Sequence, residues 1–343
     1  MTTTVSGALR EALKLAMKQD SSVFVMGEDV GAYGGIYNVT RGLMKEFGEL
    51  RVLDTPMAEI TIVGAGVGSA VAGMRPVVEL MYADFIPITM DQIINNAAKY
   101  YYLSGCKTPV PLVIRANFGT GKAEGAHQSQ TAEGWFMNIP GLKVVMPSNP
   151  QDAFGLLLGS IRDNNPVLFL EHKLLYGEKG ELDPDAQPIN LSEAKICKVG
   201  SDLTVVSCGL MLRRALQAAE EMEQEAISVE VIDLRTIKPF DAETVCESLG
   251  KTGLLMTVEE NPYEGGWGCL VVDTVVSQMF YDLKAPPLRI ASTDTPLPAA
   301  PSLEGAMVPS VADIKSAIRR SDNGSSGSPG GVSGSRKTST IRK

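Results

Sequence analysis

Histidine is nearly missing from this chain: His127 and His172 are the only two in 343 residues, too few for a His-rich metal centre. Cysteine is sparse, with Cys106, Cys197, Cys208, Cys246 and Cys269 scattered, odd in number and never spaced C-x-x-C. That argues against thiolate zinc sites and against a disulfide framework, and it predicts a reduced, cytoplasmic setting. Basic charge is in deficit, 31 Lys and Arg against 40 Asp and Glu, with a formal net charge of −9 and a pI of about 5.0. A nucleic-acid-binding domain usually carries a basic face, so no nucleic acid is expected, although a basic partner protein is compatible. No apolar run approaches the ~18 residues that would suggest a membrane span. Residues 1–6 lead straight into an amphipathic segment, without the charged-then-apolar pattern of a secretion signal. Nucleotide loops are missing too: after Gly64 and Gly66, Ser69 fails the third position of G-x-G-x-x-G, and no P-loop pattern occurs.

Apolar residues make up 44% of the chain, ample for a core, and the length suggests about two domains. Leu9, Leu13, Ala16 and Met17 recur at helical spacing and predict a helix over 6–18. Strands are expected at 23–26, 51–53, 77–81, 110–114, 143–146 and 167–170, with helices at 60–74, 90–102 and 151–162. Strands that alternate with helices imply a mostly parallel sheet covered on both faces. The acid- and Pro-rich stretch 178–190 breaks the pattern and predicts a boundary near 185. A second α/β unit follows, with strands at 203–207, 228–233 and 254–258 and helices at 210–225, 241–249, 267–280 and 311–319. From 321 to 343 the sequence is rich in Ser and Gly, with little to bury, and a disordered tail is expected.

Glu59 stands out. It ends Asp54-Thr55-Pro56-Met57-Ala58-Glu59 and leads a nearly uncharged run to Met74 whose glycines and alanines permit close approach by a backbone or ligand. Two readings compete. An acid in the first helical turn is favoured by the helix dipole and needs no further role. Alternatively, a carboxylate set among apolar residues handles a proton or a basic ligand atom.

Several blocks narrow the choice: Gly27-Glu28-Asp29-Val30, 54–59, Pro76–Phe85, Asp91–Asn95, Pro140–Val145, Ile161–Pro166 and Asp233–Pro239. In order and spacing, over about residues 5–320, they closely resemble the beta subunit of the thiamine-diphosphate-dependent 2-oxoacid dehydrogenases, with the pyruvate and acetoin types nearest. The resemblance implies two three-layer α/β/α domains: a transketolase-like pyrimidine-binding domain (1–185) and a transketolase C-terminal-like domain (186–320). It implies a chain active only with an alpha subunit, in an alpha2-beta2 heterotetramer. The alpha subunit would hold the Mg2+-diphosphate end of thiamine diphosphate. The Gly-Asp-Gly…Asn pattern used for that purpose is absent from this sequence. The implied reaction is oxidative decarboxylation of pyruvate, with transfer of the acetyl group to a lipoyl-bearing dihydrolipoyl acyltransferase. Acetoin or branched-chain 2-oxoacid cleavage is the alternative, and a non-catalytic assembly scaffold is the rival of another class.

The resemblance assigns residues as well. Glu59 would share a proton with the pyrimidine ring nitrogen of the cofactor, and an apolar setting would ease that sharing. Met81 and Phe85 would pack on the pyrimidine, although such residues near a strand end are commonly core. Glu28 would line the pocket floor, and Ile88 replaces a frequent Gln. The usual His-Ser-Gln falls on Gln128-Ser129-Gln130, with His127 one residue earlier. Either His127 or Gln128 fills the catalytic histidine's place, the latter only as a hydrogen-bond donor. His172 matches a structural strand end. A structural K+ is implied at Leu112, Ser160, Ile161, Asp163 and Asn165, mostly through backbone oxygens. Asp294 matches an acidic position that docks the acyltransferase.

Overall fold

In the computed structural model, which describes residues 1–322, helix Val5–Gln19 starts on Thr4, whose side chain accepts from Gly7 N at 3.0 Å. Its apolar stripe, Leu9, Leu13 and Ala16 among others, is buried against helix Pro150–Arg162. That second helix is capped by Asn149, which accepts from Asp152 N at 2.9 Å, and has proline in its first turn, where no N–H is needed. Helix Glu59–Val71 and the helical stretch from Ile86 to Leu103 carry a second apolar cluster.

Between these layers runs a seven-stranded sheet. Its order is Thr236–Lys238, Lys143–Val145, Val167–His172, Val113–Phe118, Arg75–Leu80, Val23–Gly27 and Val52–Asp54. All neighbours are parallel except the first pair. A second sheet orders Leu288–Ser292, Leu255–Pro262, Leu203–Ser207, Val229–Asp233 and the antiparallel edge Lys195–Lys198. Helices Gly209–Met222 and Val311–Asp322 pair with one another, as do Ala242–Thr252 and Gly268–Met279.

The strand expected at 110–114 lies at Val113–Phe118 instead. Arg115 and Asn117 look like a strand's end in sequence, yet both are buried. Arg115 satisfies Glu171 through Nε and Nη2, at 2.6 and 2.7 Å, and Glu79 through Nη1 at 2.5 Å. The 178–190 stretch is also not wholly irregular, because Lys179–Glu181 pairs antiparallel with Thr2–Thr4. Thr236–Lys238, well beyond that stretch, completes the first sheet. Around it Lys238 Nζ donates to the carbonyls of Met137 and Ile139, at 2.8 and 2.6 Å, and Arg235 pairs with Asp152 at 2.6 Å. The two units interlock. Nearly all of the tail expected from 321 onward falls outside the described residues. Among the described residues no helix is long and apolar enough to cross a membrane.

Candidate active site

Three neighbouring parallel strands end side by side, with Gly27 in register with both Asp54 and Glu79. The chain leaves them as Glu28, as Thr55–Glu59 and as Met81–Phe85. The C-terminal edge of a parallel sheet is where α/β proteins gather ligand-binding loops. Gly27 is required here, because a Cβ would lie 2.8 Å from the Glu79 carbonyl oxygen. The loop that follows is pinned by Asp54, which accepts from Gly31 N at 2.5 Å and Ala32 N at 3.2 Å.

Glu59 opens its helix as expected, half-buried, and its carboxylate has no hydrogen-bond partner among the described residues. Glu28 lies close enough to feel it. Burial raises the Glu28 carboxyl above the usual carboxylate range, and the charges of Asp29 and Glu59 add to the rise. Met81 and Phe85 are half-buried beside this acid pair's strand ends, while Met57, Ile60 and Ile88 are exposed. Two neighbouring acids, with uncovered apolar side chains on the segments that carry them, suit a flat, basic heterocycle, which would take a hydrogen bond and a proton from the acids. The residues therefore fit the aminopyrimidine end of thiamine diphosphate.

His127 is exposed, in a turn closed by Gln128 N donating to Gly125 O at 3.3 Å. His172 is buried. Its Nε2 meets Glu260 Oε2 at 2.8 Å and its Nδ1 accepts from Leu174 N at 3.2 Å, a structural arrangement spanning the two units. Burial would raise the Glu260 carboxyl, but the charge and hydrogen bond of His172, helped by Thr120 N, hold it down at about 2. Of the five residues expected around K+, Ser160, Ile161, Asp163 and Asn165 lie at or just past the end of helix Pro150–Arg162, and Arg75 and the Asp163 carboxylate link the last three. Arg75 Nη1 donates to the carbonyls of Ile161 and Asp163, at 2.9 and 3.1 Å. The Asp163 carboxylate takes Lys143 at 2.5 Å and both nitrogens of Asn165, at 2.8 and 2.9 Å. Leu112 O accepts from Val167 N at 2.8 Å, and Ser160 Oγ donates to Leu156 O at 2.7 Å. Two protein cations thus already face these oxygens, although each carbonyl keeps a second lone pair.

Asp294 lies elsewhere, on a cavity of about 530 Å³ at the junction of the units, with Glu264, Trp135 and Asn261. It is no isolated loop acid, since its hydrogen bond and charge push the Glu264 carboxyl up. Sequence reasoning missed Glu133, which is buried at this junction and pushed up to about 8, chiefly by burial. It also missed Lys173, whose side chain is completely buried. An acid inside an otherwise apolar 3-10 turn, and a lysine ending a buried strand, were the available signals.

Fold and site together define a pyrimidine-binding chain of the transketolase type. Residues 1–179 match the transketolase pyrimidine binding domain, and residues 192–314 match the transketolase C-terminal domain. The chain is 46% identical to the pyruvate dehydrogenase E1 component subunit beta of Rhizobium meliloti, over 93% of this chain and 69% of that one. It is 44% identical to the 2-oxoisovalerate dehydrogenase subunit beta of Bacillus subtilis, over 91% and 96% of the two chains. A solved split-gene transketolase, an inactive beta4 tetramer, superimposes with a TM-score of 0.78 at 21% identity, over 93% of this chain and 98% of that one, which shows the fold. The chain belongs to the family of beta subunits of the thiamine-diphosphate-dependent 2-oxoacid dehydrogenases.

Proposed function

We propose that this chain is the beta subunit of a pyruvate dehydrogenase decarboxylase component, working in the cytoplasm as an alpha2-beta2 heterotetramer. The observation that carries the reading is the pair of neighbouring acids, Glu28 and Glu59, after adjoining strand ends beside Met81 and Phe85. Thiamine diphosphate, when bound, supplies the carbon nucleophile and the electron sink. Glu59 holds and returns one proton at its carboxyl oxygen, and Glu28, whose carboxyl burial and the nearby acids push up, lies beside it. Met81 and Phe85 give the pyrimidine an apolar wall that excludes water. His127 serves as the proton donor near the incoming acceptor; in the alternative arrangement, Gln128 donates a hydrogen bond there without acid–base capacity. The Mg2+-diphosphate end belongs to the alpha subunit. Asp294, with Glu264 beside it, offers acidic charge to a basic segment of the lipoyl-bearing acyltransferase.

Substrate choice is tested by assembling the chain with its alpha subunit and comparing pyruvate, 2-oxoisovalerate and acetoin. Pyruvate is expected to give the highest kcat/KM, by at least about tenfold, equivalent to ~1.4 kcal/mol. A preference for either of the others would reassign the substrate, a live comparison because relatives at 43–44% identity carry both of those names.

K+ binding at Leu112, Ser160, Ile161, Asp163 and Asn165 belongs to the same proposal. Hard oxygen donors at a helix end suit a monovalent cation, and Arg75 and Lys143 oppose a more highly charged one. Replacing NaCl by KCl at equal ionic strength should raise the melting temperature by about 3 °C, because an ion that binds only the folded state stabilises it. Equal melting in the two salts would remove the site.

A further inference from the structure

Lys173 comes directly after strand Val167–His172, and its side chain is completely buried. Removing an ammonium from water costs several kcal/mol, so a lysine persists there only with close partners. It has three: the Glu124 carboxylate, the main-chain carbonyl of Gln128, and the face of the Tyr82 ring, whose centroid is 5.3 Å away. These partners belong to two different segments. Glu124 and Gln128 bracket the turn that carries His127, whereas Tyr82 lies between Met81 and Phe85. A second tie joins the same segments, since Gln130 N donates to Asp84 Oδ1 at 3.0 Å. Asp84 is itself buried.

We infer that Lys173 is a positioning residue, whose ammonium clamps the Glu124–Gln128 turn, and with it His127 and Gln128, against the Met81–Phe85 wall. The inference rests on the reading of that wall and turn as parts of the active site. Without the ammonium, Glu124 loses its counter-charge and the Gln128 carbonyl loses its donor. Both are then better satisfied by water, and the turn moves outward. The Asp84 tie holds only the far end, beyond His127, so it cannot replace the clamp. No other described residue ties Gln128 to Tyr82.

The test is Lys173→Met, which keeps the chain length and removes the charge, in the assembled enzyme with its alpha subunit. Amide hydrogen exchange over 124–130 should accelerate at least tenfold, while exchange in strand Val113–Phe118 stays as in wild type. Turnover should fall at least tenfold, with KM for the 2-oxo acid within twofold, because the turn's position is lost and the strand ends are not. Glu124→Gln, a milder change at a partly exposed partner, should show the same pattern at smaller size, and it decides the matter should Lys173→Met not fold. Unchanged exchange over 124–130 in the variant that folds would overturn the clamp. So would a loosened turn with wild-type turnover. A wild-type assembly inactive on every 2-oxo acid, alongside a turn loosened in Lys173→Met, would refute the proposed function and leave the clamp standing.

Discussion

Replacing Glu59 by Gln should reduce turnover of the assembled enzyme by about 10²–10⁴-fold while leaving the fold intact, the range typical of losing a general acid–base group. The carboxamide matches the carboxylate in size and can still accept a hydrogen bond at the start of helix Glu59–Val71. It cannot hold a transferable proton. The competing reading, an acid placed only to suit the helix dipole, predicts something quite different: a stability loss of ~0.3–1 kcal/mol and normal turnover. The two outcomes are separated by a large margin, so a steady-state assay with a urea melt on the same preparation decides between them. Wild-type turnover in Glu59→Gln would also favour a chain that serves only to assemble other subunits. Glu59 is half-buried and has no hydrogen-bond partner among the described residues, so the substitution breaks no internal contact that could mimic a catalytic loss.

Much of this site was legible because a parallel sheet places its strand ends together. With strands at 23–26, 51–53 and 77–81 in a mostly parallel sheet, Glu28, Glu59 and Phe85 all lie beyond strand C-termini and share one edge. The second unit is nearly as legible, and the strand expected at 203–207 is Leu203–Ser207 residue for residue. What escaped was decided by tertiary contacts. Lys195–Lys198 sets only Ile196 and Cys197 between two lysines and is a strand only as a sheet edge. Thr236–Lys238 becomes a strand by pairing with Lys143–Val145, a partner nearly a hundred residues away. Lys173 directly follows His172 in sequence, but a lysine's burial depends on whether Glu124 and Gln128 fold over it. Arg115 misled for the same reason: a charge in the middle of a strand looks like a terminus until its two glutamates are known.

That arginine carries the second large effect. Arg115→Leu should destabilise the folded chain by about 4 kcal/mol near pH 8, because it leaves the buried Glu79 and Glu171 facing each other without a cation. The loss should depend on pH in a definite direction. Burial already pushes the Glu171 carboxyl above the usual carboxylate range, with Arg115 opposing the rise. Removing Arg115 raises it further, so the folded mutant holds a proton that the unfolded chain releases. An acid whose folded pKa exceeds its unfolded value weakens the fold as pH rises from the unfolded pKa through the folded one. The deficit should therefore shrink toward pH 5 and grow toward pH 8. Urea titrations of both proteins across that window measure it, and a deficit independent of pH would mean that lost packing, not charge, is responsible. The damage should also reach the active site. Glu79 lies beneath Gly35, where a Cβ would be 3.2 Å from its Oε1, and Gly35 N donates to Asp29 O at 2.9 Å in the loop that starts with Glu28. On the far side, Glu171 accepts from Tyr176 at 2.6 Å, and that ring stacks on Tyr37 of the same loop at 4.1 Å. Changing Arg115, Glu79 and Glu171 together to apolar residues should recover most of the stability, since a well-packed apolar replacement of a buried triad is often neutral or better. Turnover should not recover with it, because the loop after Glu28 would keep its Asp54 anchor but lose the Glu79 carboxylate beneath Gly35 and the Glu171 acceptor that holds Tyr176 against Tyr37.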